Sequence, residues 1–296
     1  MFATFQLNEI IDKALAEDLG TGDLSSAILP ESLQGYAQIY AKDSGVVAGL
    51  PMATQVFKRV DPNLVIQLLA AEGERVRPGN VVLEVEGSLR GVLQAERTAL
   101  NFLQHLSGIA TATRKAVEQL SGLNVQVTDT RKTLPGLRML QKYAVQLGGG
   151  KNHRYGLYDA VMLKDNHIAA LGGIRQAVAE ARAKVGHMVK IEVECENLVQ
   201  VEEALVSGVD VIMLDNMSLE DMRAAVRRVN HQALLEASGG IREENLRQVA
   251  ETGVDLISIG ALTHSVKVLD FSLDVGKMKP SATARWEKEG HMDDGA

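Results

Sequence analysis

The sequence predicts an α/β protein, an α/β barrel preceded by a smaller strand-containing unit. Three observations carry that prediction. Short apolar, β-branched runs alternate with amphipathic helical stretches through the second half of the chain. Each run ends in polar, charged or glycine residues, as barrel strands do at the rim that holds an active site. The first hundred residues lack this alternation and break instead into short apolar segments at turn sequences.

In chain order, Met1 to Gly20 reads as an amphipathic helix with acidic residues and without the positive start of a signal peptide. Residues 36–47 and 65–93 read as strands, broken at Glu72-Gly73-Glu74 and at Arg77-Pro78-Gly79-Asn80. From Ala95 to Leu120 apolar residues recur at helical spacing, which predicts a helix leading into the barrel. Six runs then follow: Val125–Thr128, Ala160–Leu163, Val189–Val193, Val209–Leu214, Ala233–Glu236 and Leu256–Ile259. They recur roughly every 20 to 35 residues, the period of βα units in a parallel sheet. Helices are predicted over 198–207 and 218–229, the second starting at Ser218 with Asp221 in a capping-box-like arrangement. The segment from Leu269 is expected to return to the first unit, and the sequence after Pro280 is polar. The expected domains are therefore 1–108 rejoined by 271–285, a barrel over 109–270, and a tail over 281–296. A doubly wound open sheet competes, but no G-x-G-x-x-G or P-loop sequence supports it.

At 296 residues, the chain can bury a large core. Aromatic residues make up 4% and the net charge is -7, so nucleic acid is not an expected partner. No apolar run is long enough for a membrane-spanning helix. Cys195 is the one cysteine, so no disulfide forms within the chain, which suits the cytoplasm. It lies in the alternation Ile191-Glu192-Val193-Glu194-Cys195 and is expected to be a small buried residue, not a nucleophile.

Against the acidic whole, cations cluster. Asp129-Thr130-Arg131-Lys132-Thr133, Lys151-Asn152-His153-Arg154 and Lys164-Asp165-Asn166-His167 bring Arg131, Lys132, His153, Arg154 and Lys164 into one short stretch. Such a cluster suits a pocket for a small, strongly anionic substrate, Arg offering a planar fork and Lys a point charge. Lys164 closes an apolar strand and could bind an anion or act as a Schiff-base nucleophile, as in a barrel aldolase; the cationic neighbours favour the first. Glu194 and Asp215 end successive strands. They read either as capping or salt-bridging carboxylates, or as a Mg²⁺ or ribose-hydroxyl site. No His/Cys set has zinc spacing. Ser238-Gly239-Gly240 and Ser258-Ile259-Gly260 follow the last two runs, where backbone N–H groups can approach a phosphate. Gly148-Gly149-Gly150 is either a helix cap or a hinge that places Lys151 to Arg154.

With those residues in view, the chain closely resembles the quinolinate phosphoribosyltransferase family from about Glu17 to Asp274. The resemblance is carried by Glu96 to Asn101, Asp129 to Arg138, Gly148 to Arg154, Lys164 to His167 and Leu214-Asp215-Asn216. It implies an N-terminal α/β sandwich on an open, seven-stranded α/β barrel, and a homodimer with shared sites. It implies that Arg131, Arg154 and Lys164 hold the two carboxylates of quinolinate, with Thr130 and His153 nearby and Arg97 reaching in from the partner subunit. Phosphoribosyl pyrophosphate would contact Lys132, Glu194 and Asp215 with Mg²⁺, its 5'-phosphate lying on Ser238, Gly239, Gly240, Ser258 and Gly260, with His264 close by. Lys132, Lys164, Glu194 and Asp215 are the residues the resemblance makes catalytic. The implied reaction yields nicotinate mononucleotide, pyrophosphate and CO₂ in NAD biosynthesis. A molybdenum-transport-associated paralogue shares the Arg-Lys and glycine elements but lacks the Lys-Asp-Asn-His strand end, so Lys164 to His167 favours the quinolinate enzyme.

Overall fold

The computed structural model describes residues 4–276. Within them the chain forms two compact units, 4–108 with 267–276, and 109–266. The expected tail over 281–296, and the rejoining segment beyond 276, lie outside the described residues.

The first unit contains α1 (Thr4–Leu19), β1 (Gln34–Ala41), β2 (Gly45–Val46), α2 (Leu50–Val60), β3 (Val65–Leu68), β4 (Arg75–Val76), β5 (Val81–Ser88) and the start of α3 (Leu89–Gln119). Helix α1 buries Leu7, Ile11 and Leu15, one face at four-residue spacing. Helix α2 was not expected from the sequence. Its apolar residues Leu50, Ala53, Val56 and Phe57 have helical spacing and are fully buried. Its first N–H groups are capped from a distance, since Glu72 accepts from Gly49 N at 3.0 Å and Leu50 N at 2.7 Å. Residues 89–93, read as strand, instead open α3.

The second unit continues with β6 (Gln126–Thr128), α4 (Arg138–Leu147), β7 (Val161–Leu163), α5 (Asp165–Leu171), α6 (Ile174–Lys184), β8 (Ile191–Cys195), α7 (Leu198–Val206), β9 (Val211–Asp215), α8 (Leu219–Val229), β10 (Leu234–Ser238), α9 (Leu246–Ala250), β11 (Leu256–Ser258) and α10 (Ala261–His264). The chain then returns to the first unit as β12 (Phe271–Gly276), which pairs antiparallel with β1 in a four-stranded sheet of order β12-β1-β5-β3.

All six predicted barrel runs are strands, and they form one six-stranded sheet of order β6-β11-β10-β9-β8-β7, parallel at every pairing. The seventh strand implied by the resemblance is reduced to a single parallel bridge between Lys151 and Thr128. Lys151 donates to Val127 O at 2.8 Å and accepts from Asp129 N at 3.2 Å. Pairing stops there because Asp129 Oδ1 takes the next N–H but one, that of His153, at 2.9 Å and turns the chain away.

The sheet's alternation assigns its two faces. Ile191, Val193, Cys195, Ile212, Leu214, Leu235, Ala237 and Ile257 belong to the apolar core under the helices. The intervening residues Glu192, Glu194, Met213, Asp215, Glu236 and Ser238 point to the opposite face and line cavities. The helices are capped locally. Asn197 Oδ1 accepts from Val199 N and Gln200 N, both at 3.1 Å, to start α7, and Ser218 Oγ accepts from Asp221 N at 3.1 Å to start α8.

The glycine run caps α4, with Gly148 N–H donating to Ala144 O, and it also packs closely. A Cβ on Gly148 would lie 2.6 Å from Ala110 O and 2.5 Å from Thr113 Cβ, and one on Gly150 would lie 2.8 Å from Val145 Cγ1. Arg114 donates to Gly148 O at 2.9 Å and Leu147 O at 3.0 Å. The glycines let the end of α4 press against α3. No described helix is long and apolar enough to cross a membrane.

Candidate active site

At the carboxyl ends of the parallel strands lies a cavity of about 440 Å³, lined by residues that include Thr130, Arg131, Lys132, His153, Arg154, Lys164, Glu194, Asp215, Ser238 and Ser258. Arg131, Lys132, His153, Arg154 and Lys164 all reach this one space.

The loop after β6 carries the first arm. Asp129 at its base is fully buried and ion-paired with the equally buried Lys142 of α4. Thr130 Oγ1 accepts from Lys132 N at 3.0 Å, a local turn that sends Arg131 and Lys132 onward. Lys132 is anchored by its carbonyl, which accepts from Thr263 Oγ1 at 2.8 Å. The second arm is the segment after the Lys151 bridge. Arg154 donates from Nη1 to Ala160 O at 3.0 Å. Burial first, and the neighbouring Arg131 charge second, hold the Arg154 guanidinium below its ordinary pKa. Two guanidiniums that repel one another are suited to a ligand with more than one negative group.

Lys164, at the end of β7, donates to Glu194 Oε2. Its backbone N–H is taken by His167 Nδ1 at 3.0 Å, which closes the start of α5. An ammonium held by a carboxylate differs from the desolvated or cation-flanked amine that a Schiff-base enzyme uses. Asp215 accepts at Oδ2 from Asn216 Nδ2 at 2.8 Å. Asn216 itself adopts φ 54°, and a Cβ on Gly239 would come within 2.2 Å of its Oδ1. Gly239 is therefore required for space as well as for its φ of +91°. A Cβ on Gly260 would meet Lys132 Cδ at 2.9 Å and His264 at 3.4 Å, so the last turn closes directly on the lysine.

Beneath this rim sits a cluster that the sequence did not single out. His153 Nε2 lies 3.0 Å from Glu192 Oε2 and 3.6 Å from Glu236 Oε1, with Glu192 only 6% and Glu236 2% exposed. Burial, then the Glu192 charge, push the Glu236 carboxyl up to about 7. Burial lowers His153 while Glu192 and Glu236 more than offset it, favouring a charged ring. Against that, Arg154 N donates to His153 Nδ1 at 2.7 Å, which leaves no room for a second ring proton. The network therefore assigns a neutral ring with its proton on Nε2, donated to Glu192. The three groups have ligand-type atoms within 4.8 Å of one another.

Several expected residues do not line the cavity. Arg97 is exposed on the first-unit part of α3. Gly239, Gly240 and Gly260 lie in the turns after β10 and β11, outside the cavity wall. His264 is exposed, with Nδ1 2.6 Å from Ser265 Oγ. Leu157, Met162, His167, Met213 and Glu236 line the wall but were given no role from sequence. The only signal for Met213 and Glu236 was strand alternation, which becomes legible once the inward face is known.

The comparisons with known proteins agree over both units. The family described as quinolinate phosphoribosyl transferase matches through its N-terminal domain over residues 23–107 and its C-terminal domain over 109–274. The chain is 47% identical over 270 residues to a probable nicotinate-nucleotide pyrophosphorylase (carboxylating) of Bacillus subtilis, covering 91% of this chain and 93% of that protein. The solved structure of NadC from Streptococcus pyogenes superposes with a TM-score of 0.91 at 44% identity, covering 94% of this chain and 99% of that one. The nicotinate-nucleotide pyrophosphorylase from Francisella tularensis does so with a TM-score of 0.91 at 39% identity, over 93% and 98% of the two chains. With two matched domains and relatives this similar over nearly their whole length, the chain belongs to the quinolinate phosphoribosyltransferase family.

Proposed function

We propose that the protein is a transferase that moves the phosphoribosyl group of phosphoribosyl pyrophosphate onto quinolinate and releases CO₂, giving nicotinate mononucleotide for NAD biosynthesis. The observation that carries this reading is the convergence of Arg131, Lys132, Arg154 and Lys164 with Glu194 and Asp215 in one cavity. A dianionic pyridine and an activated sugar diphosphate need that combination of forks, point charges and carboxylates.

Arg131, Arg154 and Lys164 hold the two carboxylates of quinolinate, and His153 and Thr130 border the ring. Held there, the ring nitrogen attacks the anomeric carbon as pyrophosphate departs, so no protein nucleophile is required. The anomeric carbon becomes oxocarbenium-like, as in glycoside cleavage. Lys132 stabilises the negative charge that develops on the leaving group. Glu194 and Asp215 receive the ribose hydroxyls. The turns at Ser238, Gly239 and Gly240 and at Ser258 and Gly260 receive the 5'-phosphate, with His264 beside them. The ribosylated nitrogen is then positive and stabilises the carbanion left at C2 when CO₂ leaves. Lys132, Lys164 or water returns a proton there.

The residues also fit Mg²⁺. Glu194 and Asp215 are hard oxygen donors on one wall, and one or two carboxylates with substrate phosphates are its usual set. When bound, the ion neutralises charge on the pyrophosphate. A homodimer in which the partner subunit's Arg97 completes each site is part of the proposal, as is a cytoplasmic setting. Burial pushes the lone thiol, Cys195, up to about 12 and keeps it unreactive.

The test is CO₂ release from carboxyl-labelled quinolinate with and without phosphoribosyl pyrophosphate and Mg²⁺. Release that depends on both substrates is expected. Tight quinolinate binding with no release would instead describe a binding protein. For the shared site, mixing Arg97→Ala with Arg154→Ala subunits is expected to restore part of the activity that each lacks alone; permanently inactive mixtures would place Arg97 outside the partner's site.

A further inference from the structure

The two arms of the cavity are joined by a structure that makes no contribution to the chemistry just described. Helix α4 turns one polar face inward, carrying Arg138 and, four residues later, Lys142. Lys142 and its neighbour Gln141 are completely buried, an uncommon fate for either residue type.

The contacts explain the burial. Arg138 spans both arms: Nε donates to Thr133 Oγ1 at 2.9 Å and Nη2 to Arg131 O at 3.3 Å on one side, while Nη1 donates to Tyr155 O at 2.9 Å on the other. Lys142 does the same one turn deeper. It pairs with Asp129 at the root of the Arg131 loop and donates to His153 O at 2.9 Å at the root of the Arg154 segment. Asp129 closes the circuit by accepting from His153 N at 2.9 Å. Gln141 extends the same face, accepting from Leu134 N at 2.9 Å and donating to Thr263 O at 3.2 Å, and Thr263 in turn holds Lys132.

We propose that Arg138, Lys142 and Asp129 are positioning residues that fix the separation between Arg131 and Arg154, and thereby select a ligand with two adjacent carboxylates over one with a single carboxylate. The physical argument is that Arg131 and Arg154 stand on loop segments outside the regular sheet, and like charges repel. Left to themselves the two arms would splay. A planar guanidinium bonded to both, above a buried ion pair bonded to both, removes that freedom before the ligand arrives, and pre-organisation of this kind appears as affinity and specificity. Pairing the buried charges keeps each from being stranded, and a stranded charge is the costly outcome on removal of either partner.

This inference rests on the quinolinate reading, and its test keeps the two apart. Binding of pyridine-2,3-dicarboxylate and of pyridine-3-carboxylate is measured by calorimetry on the full chain, together with steady-state KM values for both substrates. In wild type the dicarboxylate is expected to bind much more tightly; if it does not, the functional reading fails and takes this inference with it, whereas a wild-type preference that survives in the variants overturns this inference alone. In Arg138→Lys, which keeps the charge but cannot fork across both arms, dicarboxylate affinity and its KM are expected to worsen at least tenfold. The KM for phosphoribosyl pyrophosphate should stay within about twofold, and the preference for the dicarboxylate should shrink. Lys142→Met is expected to act in the same direction and more strongly. Should Lys142→Met not fold, Arg138→Lys decides alone. Unchanged dicarboxylate preference in a folded Arg138→Lys protein, or equal loss for both substrates, overturns the proposal, because a general loosening of the unit would not discriminate between ligands.

Discussion

The two faces of the parallel sheet differ in what they carry. Along β8, Ile191, Val193 and Cys195 are fully buried in the core beneath the helices, while Glu192 and Glu194 between them line the cavities. The same interleaving holds along β9, with Ile212 and Leu214 against Met213 and Asp215, and along β10, with Leu235 and Ala237 against Glu236 and Ser238. Stability and chemistry thus occupy alternate residues of the same strands. A barrel usually fills its interior with branched apolar side chains. Here carboxylates stand there beside Met213, with His153 3.0 Å from Glu192 and 3.6 Å from Glu236, while the outward face is held by packing. A one-residue slip in register would exchange the two and destroy both.

That contrast can be broken from either side. On the outward face, Leu214→Ala is expected to cost about 2–5 kcal/mol of stability through the cavity it leaves, with KM values close to wild type. Denaturant midpoints set beside KM would expose any mixing of the two roles. On the inward face, Glu236 provides a pH test. Its folded carboxyl titrates near 7 against an ordinary value of 4.5, so the folded chain holds a proton that the unfolded chain releases. The associated stability is complete below about pH 4.5, falls as pH rises toward 7 and is level above, a change on the order of 3 kcal/mol. Glu236→Gln should flatten that slope in denaturation series between pH 5 and 8, and an unaltered slope would assign it elsewhere. Arg131→Ala should weaken quinolinate by roughly 1.5–3 kcal/mol, the scale of hydrogen bonds to charged groups. Phosphoribosyl pyrophosphate should be affected far less, and melting temperature hardly at all; equal loss of both substrates would deny Arg131 its carboxylate. The smallest effect belongs to the periphery of the packed face. Ser218→Ala removes the cap of α8 and should cost about 1 kcal/mol with turnover untouched.

Much of this organisation was legible in the residues. The six barrel strands announced themselves as β-branched runs bounded by polar clusters, and the cations that share the cavity were visible as a cluster out of keeping with the net charge of -7. The face contrast was also present in Ile191 to Cys195, but which face held the chemistry was not, because alternation has no sign. Glu192 stands out as a polar residue near a strand end, but nothing in the local sequence of Glu192 or Glu236 foretells a contact with His153, 39 and 83 residues away. The seventh strand was invisible to periodicity because a single bridging residue has none. Helix α2 is hard to read from sequence although its buried residues have helical spacing, since its cap, Glu72, lies more than twenty residues downstream. The roles of Arg138 and Lys142 were hidden for a related reason: each is an ordinary helix former, and only the folded chain reveals that both arms lean on them.

The glycine at position 148 illustrates how far such leaning extends. Pressed against the backbone of Ala110 and the side chain of Thr113, it cannot accept even one methyl group without lifting the end of its helix. Arg154 begins only a few residues further on. A conservative replacement there, touching no ligand, would act as a lever on the guanidinium it indirectly supports, so loss of activity from a change at this position would report geometry transmitted along the chain and not chemistry removed from the pocket.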